Sequence, residues 1–284
     1  MKIMISLTLV SSTLFCTSLQ ACINSYAFDL GHDHEISDID ADEALKKINP
    51  KTIFKQSYQQ INDYGVYLIY TKQYQKAIQT FERLEKMHPH LAKTAANLGT
   101  AYELNGQPEQ AKIWIEKGIR LDPKIHEGSE WIHVKILDAQ IQQKKNSQWI
   151  QQHDVLGLDF GQQERPIAKV KKAVYLDQQY NLNTVLEHSK IQMNQRLRFV
   201  SQDPLTAQIL FNMANIEVYQ LNNEEWVSET LYDIAENLGY SDLALLTQRR
   251  DYAKNSTWFA WKSNMMDVFR QISQLLKSFF VHAD

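Results

Sequence analysis

Cysteine is almost missing from this chain. Of its 284 residues only Cys16 and Cys22 are cysteines. The long remainder therefore has no disulfide, no cysteine-based zinc site and no thiol nucleophile. Glycine is sparse as well: nine residues, scattered, with no GxGxxG or GxxxxGK(S/T) run whose backbone amides would cradle a phosphate. No HExxH occurs, so that metalloprotease helix is excluded. Nor is there a surplus of basic charge. The net charge is −3 and the pI is near 6.3, whereas nucleic-acid binders carry a basic field. No paired carboxylates and no Ser/His/Asp order stand out. The sequence thus predicts no catalytic residue, no cofactor, no metal site and no nucleic-acid partner.

What is present begins with an export pattern. Lys2 gives a positive start and Ile3 to Cys16 is mostly apolar, mixed with Ser and Thr; this reads as a secretory signal over 1–21. It is short and polar for a spanning helix. The run ends Leu19-Gln20-Ala21-Cys22, which resembles a bacterial lipobox. That resemblance implies cleavage before Cys22 and a lipid on its sulfur, hence an anchor in the cell envelope. A competing small-x-small site, Ser25-Tyr26-Ala27, would release a soluble protein instead. From Phe28 to Asp42 the chain is acidic, with His32, Asp33, His34 and Glu35 together. Such groups suit zinc or copper, but nothing rigid supports them. The segment 22–42 reads as a solvated tether.

The dominant pattern is a sequence laid twice. Ile61, Tyr64, Gly65, Leu68, Ala77, Phe81, Leu84 and Pro89 recur 34 residues later as Ala95, Leu98, Gly99, Tyr102, Ala111, Ile115, Gly118 and Pro123. Residues 3 and 4 apart share a helix face. Gly65 and Gly99 allow a partner helix to approach, Ala77 and Ala111 serve the same end from the second helix, and Pro89 and Pro123 stop that helix. The period and key positions resemble the tetratricopeptide repeat (TPR), a helix–turn–helix unit. One such hairpin cannot bury its apolar face alone, so a degenerate neighbour is expected.

The resemblance implies an all-α fold: a TPR-type helical-hairpin solenoid with an irregular insertion and a degenerate TPR-like second half. The expected divisions are repeats over 43–145, insertion over 146–180, TPR-like helices over 181–256 and an amphipathic C-terminal helix over 257–284. A third first-helix is expected from Glu127 to Lys144, with His133 where the glycine would fall and no second helix after it. After it the chain runs Trp149 to Phe160, where the alternating, glycine-bounded segment from Val155 to Gly161 reads as extended, and Val174 to Leu176 reads as a short strand. Asn181 reads as a helix cap, and Asp203-Pro204 as a helix start. The hairpin after Pro204 puts Trp226 where a small residue belongs. A further helix is expected over 243–253. The C-terminal stripe from Trp261 to Phe280 either caps the solenoid or binds a partner or membrane surface.

In TPR proteins partners lie on the inner face of the first helices. That implies a groove of Asn62, Val66, Ile69 and Tyr70, then Lys93, Asn97, Thr100 and Glu103, then Glu127, Glu130 and Trp131. One subfamily grips a terminal carboxylate with Lys, Asn and Arg residues. Only Asn97 matches that set here, because Asn62, Val66, Glu127 and Trp131 hold the other positions. His126, Glu130 and His133 fall on one predicted helix face, a possible metal-ligand set that reads better as groove lining. Glu164-Arg165 and Arg249-Arg250-Asp251 read as solvated charges. The function these features imply is an exported, lipid-anchored scaffold that binds a protein or peptide segment of an envelope partner. An envelope enzyme or subunit, or a solute- or glycan-binding module, with its site in residues 149–200, is the alternative.

Overall fold

The computed structural model describes residues 38–220 and 227–255. The signal segment with Cys22, residue Trp226 and the C-terminal stretch 257–284 lie outside the described residues. Helix α1 (Asp38–Lys47) starts five residues before position 43 and takes the end of the expected tether. Acidic groups favour a helix N-terminus, and Asp42 pairs with Lys46 one turn on, at 2.5 Å.

The two repeats follow as α2 (Tyr58–Tyr70) with α3 (Tyr74–Met87), and α4 (Ala92–Leu104) with α5 (Pro108–Leu121). Ser57 opens α2 with a reciprocal capping box to Gln60. Both prolines act as expected: α3 and α5 end two residues before Pro89 and Pro123. His88 and Asp122 before them leave the helical region, at φ −136° and −144°, because a proline disfavours that region in its predecessor. The glycines mark true close approaches. A Cβ on Gly65 would stand 2.5 Å from the Phe81 ring, and one on Gly99 would stand 2.6 Å from Ile115. Ala77 and Ala111 are fully buried beside them.

The third first-helix, α6 (Glu130–Lys145), begins three residues later than the pattern suggested. His126, Glu127 and Gly128 before it have φ +48°, +55° and +78°, a left-handed run that no α-helix can contain. In place of a second helix for this unit, α6 is followed by the single turn α7 (Trp149–Gln152). Beyond it Asp154 accepts from the backbone N–H groups of Leu156 and Leu158, both at 2.9 Å, folding the segment into a tight loop. The hairpin β1 (Lys172–Tyr175) and β2 (Gln178–Asn181) is antiparallel, with Ala173 opposite Tyr180. Leu176 sits in its turn with φ +51°, not in the strand.

Asn181 caps α8 (Leu182–Arg196), accepting from Thr184 N–H at 3.0 Å. Asp203 opens α9 (Pro204–Gln220), accepting from Leu205 N–H at 3.1 Å. Helix α10 (Val227–Asn237) packs back on α9 and is closed by Gly239 at φ +94°. Helix α11 spans residues 243–255. The fold is thus an all-α solenoid carrying one small two-stranded sheet. Helix α6 is apolar on two sides. Val134 and Leu137 join the core of α1–α5, while Ile132 and Ile136 join a second core with Val155, Phe160, Val185, Leu210 and Ile216. The insertion, α8 and α9 therefore cover the face where a third partner helix would lie.

Candidate partner-binding cleft

The inner faces of α2 and α4 are joined by amides. Asn62 accepts from Thr94 Oγ1 at 3.2 Å and from Asn97 Nδ2 at 3.1 Å, all buried. Val66 and Ile69 are fully buried, and the Tyr70 ring lies 5.7 Å from that of Phe199. Val66 and Ile69 lie in the core of α1–α5, and Tyr70 is covered from outside the repeats by Phe199, in the segment after α8. A free inner face would leave this apolar surface in water, at a cost of ~25 cal/mol per Å².

A chain of charges fastens that segment down. Arg196 donates to Glu103 at 2.6 Å and to Asp203 at 2.9 Å, and its Nε reaches Thr206 Oγ1 at 2.6 Å. Glu103 Oε2 lies 2.6 Å from His133 Nε2, and His133 Nδ1 lies 3.2 Å from Glu130. Glu130 also bonds His126 Nδ1. Burial opposes the charge on each group. For Glu103 it is overcome by Arg196 and His133, which hold the carboxyl well below the usual range. For Glu130, His126 and then His133 bring it to about 2. His133 is pushed up to about 9: burial works against its charge, but Glu103 and Glu130 outweigh it. Buried charges persist only when paired and hydrogen-bonded in this way.

The placement departs from one helix face of His126, Glu130 and His133. His126 sits in the left-handed turn ahead of α6, and its ring returns to Glu130 only because that turn reverses the chain. Trp131 is buried, donating Nε1–H to His188 Nδ1 at 2.8 Å and stacking on Tyr180 at 4.3 Å. Glu127 is exposed and Lys93 half-buried at the ends of the row. Of the eleven expected groove residues, Thr100 and Glu103 line an opening among the described residues. It is a cleft of about 360 Å³ between α4, α6 and residues 192–203, with Gln140, Gln192, Ser201 and Gln202 among its walls. A shallower hollow lined by Glu103, Gln140, Gln143 and Ser147 continues it.

Arg196 and Gln140 were not foreseen, nor was Asp203 beyond its place at a helix start. Their hub Glu103 lies 93 residues from Arg196 and 37 from Gln140, and no local pattern signals such a pairing. Arg249 departs from the expected solvated charge: it is 1 % exposed and donates to the carbonyls of Phe160, Gly161 and Gln163 at 3.2, 2.6 and 3.3 Å. Its neighbour Arg250 is the surface residue, paired with Asp233 at 2.8 Å and with Glu236. Arg249 and Asp154 wall a cavity of about 120 Å³ under the insertion.

Comparison with known families matches the tetratricopeptide repeat at residues 92–125, the unit formed by α4 and α5. No curated protein matches the chain. A TPR repeat on a helical solenoid suggests a protein–protein interaction scaffold, with a protein or peptide as partner.

Proposed function

We propose that this chain is an exported scaffold, anchored in the bacterial cell envelope by a lipid on Cys22, that holds an extended segment of an envelope protein. The observation that carries the binding site is the cleft between α4, α6 and residues 192–203. It opens on the repeats' inner side among the described residues, and it shares Glu103 and Gln140 with the hollow reaching Ser147. Its walls include amide and hydroxyl groups at Gln140, Gln143, Ser201 and Thr100, with apolar Leu104, Ile136 and Phe199 beside them. Amides and hydroxyls both donate and accept, so they match a peptide backbone, while Glu103 and Asp203 are already paired with Arg196. The lipobox-like Leu19-Gln20-Ala21-Cys22 supports the location.

Filling the cleft without touching the core tests this reading. Ser201 is exposed and lines the cleft. Ser201→Trp together with Gln143→Trp should lower capture of the partner from detergent-solubilised envelope tenfold or more, equivalent to about 1.4 kcal/mol. The thermal melt should match wild type. Undiminished capture by a folded double variant would rule out the cleft.

A further inference from the structure

Four of the large apolar side chains left in water fall within ten residues of one another. Ile167 is 50 % exposed, Val170 38 %, Val174 49 % and Leu176 77 %. Between them stand Lys169, Lys171 and Lys172, all exposed, and exposed Arg165 precedes them. From 165 to 176 there is no acidic residue, in a chain whose net charge is −3. The fold explains the arrangement. In β1 the side chains alternate: Ala173 is buried and Tyr175 half-buried, while Lys172 and Val174 point the other way. Leu176 continues the outward row at the turn, held there by its left-handed backbone. Three acidic neighbours moderate the charge without removing it: exposed Glu164 and Asp177 flank the stretch, and Asp159 stands beside Lys169. Lys169 lies 3.8 Å from Asp159 yet its side chain stays 60 % exposed, and Lys172 bonds the neutral Gln179.

We infer that this outer face of the insertion is a docking surface for an anionic lipid bilayer. Exposed valine and leucine at a hairpin tip insert into the headgroup–acyl boundary, and lysines beside them meet lipid phosphates. Lysine suits this occupant better than a protein surface: it is depleted in protein interfaces, whereas its long stem can follow apolar surface while its ammonium reaches a headgroup. The proposal needs no lipid on Cys22, so it stands or falls apart from the anchor.

The test uses the full chain with Cys16→Ser and Cys22→Ser, carrying an environment-sensitive NBD fluorophore on Leu176→Cys. The chain is mixed with vesicles of phosphatidylcholine alone or with about one third phosphatidylglycerol. Without a lipid on residue 22 the chain meets either vesicle only through its own surface, and the probe reports whether the hairpin touches the bilayer. The expected result is a blue shift in the anionic vesicles alone. A probe on Met87→Cys, outside the 165–176 stretch, should not shift. Lys169→Glu, Lys171→Glu and Lys172→Glu together should lower the docked-to-undocked ratio at least about tenfold. No shift at 176, an equal shift in neutral vesicles, or a shift that survives the charge reversals overturns the proposal. So does a shift that appears only when an envelope protein is added, since the surface would then dock protein.

Discussion

His133 should make the protein lose stability on the alkaline side. Its folded pKa is about 9 against an ordinary 6.5, raised because Glu103 and Glu130 hold its charged form. A group whose pKa is raised on folding stabilises fully below its unfolded value, and that stability is lost as pH climbs through the folded value. The window is therefore pH 6.5 to 9. A shift of this size corresponds to roughly 3 kcal/mol. His133 is buried, so solvent screening removes little of it. Over a chain of this length that is a fall in Tm of roughly 6–12 °C. The carboxyls do not confuse the reading. Glu103 and Glu130 are lowered, so their contribution is present above their unfolded values and disappears only in acid. Calorimetry from pH 6 to 9.5 on wild type and His133→Asn is the assay. The variant should melt lower at pH 6, and the two curves should converge as pH rises. A flat wild-type profile, or an equal decline in the variant, would refute the network as described.

Gly99→Ala should cost about 1–3 kcal/mol by urea unfolding, because the new Cβ lies 2.6 Å from Ile115 and 3.1 Å from the Ala111 carbonyl; an unchanged midpoint would mean the helices separate freely there. Tyr70→Ala removes a ring that is 5 % exposed and packed on Phe199, so a loss of about 3–5 kcal/mol is expected in the same assay. A wild-type midpoint would show that the inner face is not covered in solution. Cys22→Ala should move the protein from membrane to soluble fractions, or leave an unprocessed precursor. Identical fractionation with an unaltered mature mass would exclude the lipid anchor.

The repeat was legible because its contacts are local. Gly65 meets Phe81 and Gly99 meets Ile115, each within a single hairpin, and a spacing of 34 repeats the rule. The inner face was legible as a face but not as a covered one. What covers it, Arg196 and Phe199, comes from more than 90 residues beyond Glu103 and Tyr70. Arg249 did carry a signal that was passed over. It falls on the stripe of Leu245, Leu246 and Ala253, all buried at helical spacing, whereas Arg250 is a quarter-turn away. His133 carried a weaker one, since it replaces a glycine that in the other units meets a neighbouring helix.

The cover over the inner face also sets an order of events during synthesis. Helices α2 to α5 can pair as soon as they are made, since each contact spans a few dozen residues. Tyr70 must then wait for Phe199, and Glu103 for Arg196. At an elongation rate of ~5–20 residues per second that delay is on the order of ten seconds. Through it the nascent repeats present a bare apolar groove and a carboxylate without its arginine. The half that arrives late thus acts toward the early half as a tethered ligand, and closing so long a loop slows the last step of folding. Any factor that meets the chain before residue 199 is made meets a different surface from the one the finished protein displays.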